Sequence, residues 1–110
     1  MLFLVVSHPR PERPSTVASH RQAFWDWIAP KLASGEALSA YPRVGRGVAV
    51  TFDLASNEAL HAALTEWSEM IPATFDIFPL IDTDAARRSL AQAASGSLIS
   101  PPAAQEETSP

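Results

Sequence analysis

His8, His20, Arg21 and Arg46 are the side chains of this 110-residue chain whose types suit proton transfer on an anionic molecule. Moving a proton between two carbons needs one group that accepts and returns it and another that stabilises the enolate-like charge. Histidine suits the first task because imidazole ordinarily titrates close to neutral pH. Arginine suits the second, and its guanidinium fork grips a carboxylate through two parallel bonds. His20 is the leading acid–base candidate, since its helical angle points it toward the sheet near the open N-terminal end of the first helix. The plainer reading of His20 is an imidazole at the stripe's edge bonded to a backbone carbonyl. His8 continues the parity of Leu4 and Val6 and would line a cavity mouth beside Arg10, or else be the first solvated loop residue.

Arg21 lies one turn before Trp25, where it can anchor an anion or simply stack on the indole. Arg46 stands between Gly45 and Gly47 and shares parity with Val48, Val50 and Phe52. Those glycines allow close backbone approach, so Arg46 either reaches into a pocket or decorates a hairpin turn. Trp25, Tyr41 and Trp67 would supply aromatic walls, against the ordinary alternative of core packing. His61 falls on a helix edge and reads as exposed. Glu69 turns inward only if its helix ends at Ser68. No metal is expected, because the histidines sit on separate elements without the local ligand pair of a zinc helix, and cysteine is absent. Neither a dinucleotide nor a Walker fingerprint occurs, so no cofactor is expected.

The elements that must position these groups follow from hydrophobic periodicity. Met1 to Val6 is apolar at odd and even positions alike, which demands cover on both faces of a strand. Helices can cover one face, and the other calls for a second copy of the chain. His8 to Pro14 holds three prolines and reads as a stiff loop. Ser15 is then the expected N-cap of a helix over Thr16 to Leu32, with Val17, Phe24, Ile28 and Leu32 as its stripe and Pro30 kinking it or ending it early. Gly35 is the expected stop. Leu38 to Tyr41 and Val48 to Leu54 read as strands. Ser56 caps a second helix with Leu60, Ala63, Leu64 and Trp67 inward. Pro72 ends it, and Thr74 to Ile81 supplies the last strand.

That order is the βαββαβ pattern of ferredoxin-like α+β folds, a four-stranded antiparallel sheet with both helices on one face. The domain is expected over residues 1–94, including a short helix over 84–94, with a disordered tail over 95–110. The formal net charge of −4 gives no electrostatic case for nucleic acid. The opening apolar run is too short to span a membrane and lacks the basic start of an export signal. Cytoplasmic residence is the default expectation.

Several residues resemble the muconolactone isomerase family of the dimeric α+β barrel superfamily. They are Met1-Leu2-Phe3, Val50-Thr51-Phe52-Asp53-Leu54, Ser56-x-Glu58-Ala59-Leu60-His61-x-x-Leu64, and Phe75-Asp76-Ile77-Phe78-Pro79-Leu80. The resemblance covers roughly residues 1 to 82 and implies a cofactor-independent shift of a double bond in an unsaturated, carboxylate-bearing lactone, within a homo-oligomer. The His8–Pro14 segment, the His20-Arg21 pair and an extended Trp67-Ser68-Glu69 loop depart from that family's pattern, which leaves open another conjugated metabolite, as in secondary metabolism. On this reading His20, helped by His8, moves the proton while Arg21 and Arg46 hold the charge. Cofactor-free oxygenation or cyclisation of an aromatic polyketide, and a non-catalytic binding or assembly module, are the alternatives.

Overall fold

The computed structural model describes residues 1–95. Its elements are β1 (Leu2–Pro9), α1 (Ala18–Ser34), β2 (Ala37–Pro42), β3 (Val48–Asp53), α2 (Asn57–Met70), β4 (Ala73–Leu80) and α3 (Thr83–Ala94). The four strands form one sheet in the order β2-β3-β1-β4, with every neighbouring pair antiparallel. This is the ferredoxin-like α+β arrangement that the periodicity predicts.

Register explains why β1 is apolar throughout. Phe3 pairs with Phe52 and Val5 with Val50, and all four are buried in one core with Phe24 and Ile28 of α1 and Leu60, Leu64 and Trp67 of α2. Both helices therefore cover the odd-numbered face of β1. Leu2, Leu4 and Val6 point to the opposite face, where they remain partly exposed. Aromatic rings tie the helices to the sheet. The Trp67 ring packs 4.8 Å from that of Phe24 and 5.0 Å from that of Phe75 in a T-shaped contact, a favoured geometry for paired rings.

Several local expectations are corrected. β1 continues through His8 and Pro9, which pair with Thr74 and Ala73, so the stiff loop begins only at Arg10. Ser15 does not cap α1. A turn in which the Thr16 N–H donates to the Arg13 carbonyl (3.0 Å) uses up that stretch, and buried Val17 stands at the N-cap without a side-chain bond. Pro30 lies inside α1 without ending it. Pro30 and Asp26, whose carbonyl would have accepted the missing bond, are both exposed, so water can replace it. Leu32 is 39% exposed and sits outside the core. Trp67, Ser68 and Glu69 belong to α2 rather than to a loop. The expected stops hold elsewhere: Gly35 ends α1 at φ 87°, and Ser56 Oγ accepts the Ala59 N–H at 3.1 Å.

Two compact units make up the chain, Met1–Leu80 and a second beginning at Ile81. In the second, the side chain of Asp82 accepts the Ala85 N–H at 2.7 Å and starts α3, none of whose residues is buried. The tail expected over 95–110 lies outside the described residues apart from Ser95. Among the described residues no helix is long and apolar enough to cross a membrane.

Candidate functional site

The site is built by the turn between β2 and β3. Gly45 and Gly47 adopt φ of 98° and 101°, conformations that favour glycine. The Arg43 N–H donates to the Gly47 carbonyl at 2.8 Å and closes the turn. A Cβ on Gly47 would stand 2.5 Å from the Ser7 carbonyl oxygen, so the turn lies against the end of β1 with no room for a side chain. That contact brings two arginines beside Ser7, the buried polar residue of the described chain. Arg43 Nη1 donates to the Ser7 carbonyl at 2.8 Å, and Arg46 Nη1 donates to the Glu12 carbonyl at 2.9 Å. Ser7 Oγ accepts the Val48 N–H at 2.9 Å and pins the start of β3.

α1 closes the opposite side with Arg21, Phe24 and Trp25, and α2 adds Trp67. Together with the turn they line a half-open cavity of about 130 Å³. A hollow of ~150 Å³ accommodates a single benzene-sized ring. Its wall contains Arg21, Arg43 and Arg46 and no aspartate, glutamate or histidine. Among the described residues none of the three arginines forms a salt bridge, and the Arg21 side chain has no hydrogen-bond partner. Trp67, only 1% exposed, likewise donates its indole N–H to no group among the described residues. Buried donors are nearly always satisfied by protein, water or ligand. The arrangement can hold a flat anion against aromatic faces. The stacking of Arg21 on Trp25 considered from sequence is not formed, and among the described residues the cation–π contact is Lys31 over Trp27 at 5.0 Å.

A second hollow of about 150 Å³ adjoins the first, sharing Arg46 and Ile71 and adding Arg10, Glu12, Val17, His20, Glu69 and Pro72. His20 is exposed there, and its side chain forms no hydrogen bond among the described residues. Glu69 reaches this recess even though α2 runs on to Met70. Arg10 is already committed, since its Nε and Nη2 donate to Glu12 Oε2 at 2.9 and 2.6 Å.

The structure thus brings Arg21, Arg46, Trp25 and Trp67 to one cavity, sets His20 in the next, and leaves His8 and Tyr41 out of both. Tyr41 pairs with Ala49 on the open sheet face and is 69% exposed. His8 bonds Asp76 through Nε2 at 2.8 Å. His61 is exposed. Arg43 and Ser7 belong to the site and escaped the sequence reading, which gave Phe24 only as part of the α1 stripe. The Gly-x-Gly run was the signal for a close approach, but only the folded turn shows that it carries Arg43 with it. Among the described residues no group of three His, Cys, Asp or Glu could hold a metal.

A family model described as a domain of unknown function (DUF3303) matches residues 1–94. The chain belongs to that family. No curated protein matches it. The match to DUF3303 spans every element that lines the two hollows.

Proposed function

We propose that this domain binds a small, flat, unsaturated carboxylate in its arginine-lined cavity. One observation carries the reading. In a protein of net charge −4, three guanidinium groups meet at a benzene-sized hollow whose wall holds no carboxylate. Like charges gathered in a partly dry space are costly until a counter-charge arrives. Arg43 and Arg46 each spend hydrogens of one terminal nitrogen on backbone carbonyls, which fixes them and leaves the rest of each fork for a ligand. Phe24, Trp25 and Trp67 supply planar apolar faces for a conjugated ring. Calorimetric titration with benzoate and benzamide tests this directly. Benzoate is expected to bind at least ~10-fold tighter, the worth of one charge-assisted hydrogen bond. Equal affinity for the two would sink the reading.

Turnover is the next step of the same proposal. As the resemblance implies, the bound molecule would be an unsaturated lactone carboxylate, and the reaction a cofactor-independent double-bond shift or cyclisation. His20 would move the proton across the wall that its recess shares with the cavity at Arg46 and Ile71, while the arginines hold the developing negative charge. His20→Gln is expected to lower turnover of such a lactone by on the order of 10²-fold or more, with binding nearly unchanged. A second reading, a non-catalytic binding module, is favoured by the cavity wall itself, which offers no side chain able to act as a base near neutral pH. An unchanged rate in the His20→Gln variant would decide for it.

A homodimer completes the proposal. Tyr41, Phe78 and Leu80 are 69%, 47% and 43% exposed, and the register places Phe78 and Leu80 beside Leu4 and Leu2 on the sheet face away from the helices. Such a patch is suited to pairing sheet to sheet with a second copy.

A further inference from the structure

The arginine that the sequence did not reveal is held by a histidine that the cavity does not contain. Arg43 Nη1 donates to the Ser7 carbonyl at 2.8 Å and lies 3.3 Å from His8 Nδ1. His8 Nε2 in turn lies 2.8 Å from Asp76 Oδ2. One protonation state satisfies every group in this row. Nε2–H donates to the Asp76 carboxylate, Nδ1 stays bare and accepts from Arg43, and the two Nη1 hydrogens serve Ser7 and His8. Nη2 and Nε of Arg43 are then left for a ligand in the cavity.

We propose that His8 is a positioning residue of the anion site, a neutral acceptor that aims Arg43 at the cavity and releases it in acid. The inference deepens the anion-binding reading and rests on it. The groups facing His8 are Asp76 from β4 and Arg43 from the turn after β2. On the same sheet face Tyr41 stands across Ala49 and Val6, and on β1's own continuation Arg10 is paired with Glu12. The sign follows from the donors. Protonated His8 presents Nδ1–H to a guanidinium N–H, so two donors and two like charges meet at a distance that had been a hydrogen bond. Asp76 compensates the added charge, so the net effect on the cavity is loss of one of Arg43's two supports, the Ser7 carbonyl remaining, and anion affinity falls as pH falls.

Two measurements test it. In the ligand-free protein at pH ~8, nitrogen-15 NMR of the imidazoles is expected to show His8 as the neutral Nε2–H tautomer. A proton on Nδ1 there overturns the inference whatever the cavity binds. Benzoate titration is then run from pH ~8 to ~5, the span in which imidazole ordinarily changes charge. Wild-type affinity is expected to fall about 5- to 10-fold, less than the worth of a whole charge-assisted hydrogen bond, because the Ser7 carbonyl still holds Arg43. His8→Asn places an amide oxygen near the Nδ1 position and should keep the affinity while flattening the fall. His8→Gln, whose amide reaches instead toward the Nε2 position, should bind weakly at every pH. This pair separates His8 from the chain's other imidazoles, His20 and His61. Wild-type binding that is flat with pH, or a fall equally steep in His8→Asn, overturns the inference and leaves the anion site standing. Failure of the wild type to bind benzoate at pH ~8 sinks the site reading, and the tautomer then decides the Arg43 contact by itself.

Discussion

The two adjoining hollows share Arg46 and Ile71 and are of similar size, yet they differ in charge balance. The recess around His20 neutralises itself. It sets Glu12 and Glu69 against Arg10 and Arg46, with Arg10 already spent on Glu12. The cavity under Trp67 gathers Arg21, Arg43 and the shared Arg46, and its own wall holds no carboxylate. A self-paired cluster is accounted for by the protein's own stability and solubility. On the proposed reading, an unanswered one in an acidic chain is accounted for by a ligand that supplies the counter-charge. The proposed reading therefore rests on charge convergence without internal compensation rather than on the presence of a histidine.

That contrast can be broken at several points. The largest effect is expected at Trp67, the shared pillar of core and cavity, where Trp67→Ala should cost about 3–5 kcal/mol in denaturant unfolding. A loss below ~1 kcal/mol would mean that α2 is not held by this ring. Next comes Arg43→Ala, expected to weaken benzoate by about 2 kcal/mol, in line with a charge-assisted hydrogen bond removed from a partly dry site. Gly47→Ala should destabilise the fold by more than ~1 kcal/mol, because it combines a positive φ with a backbone oxygen 2.5 Å away. A neutral result in thermal unfolding would show that the turn can lift from Ser7. Phe78→Asp, on the open sheet face, should shift sedimentation toward the monomer. A wild-type monomer at high concentration would remove the proposed pairing. The smallest effect sharpens the comparison itself. Glu69→Gln in the self-paired recess should change benzoate affinity by less than about twofold, within the range of ordinary surface changes, and a larger change would make the two hollows one site.

Much of the fold was legible because it depends on local pattern. Two-residue alternation in Val48 to Phe52, the Ser56 cap and the 3.6-residue stripe of α2 each describe one element and its buried face, and the sheet order follows from stacking such elements. The misreadings were of another kind. Pro30 and Ser15 carry strong local preferences, for ending a helix and for starting one, and both were overridden by the chain around them. His8 and Pro9 looked like loop because proline lacks a donor, yet Pro9 pairs with Ala73 near the end of a strand. In the site, Arg21, Arg46, Trp25 and Trp67 were named from parity and helical angle, which are properties of single elements. Arg43 could not be named that way. It sits in a turn, where no period constrains side-chain direction.

By itself, then, the sequence determined which faces are apolar, how the elements are ordered and that the charge is acidic overall, since each is written in composition and short-range period. Tertiary structure alone decided that three arginines on two separate elements converge, that His20 stands one hollow away from them, and that His8 reaches Arg43 across 3.3 Å. The physical reason is range. Backbone preference and hydrophobic period act over a few residues, whereas the meeting of Arg21 with Arg43 and Arg46 depends on a glycine turn seated against β1 and a helix laid over both.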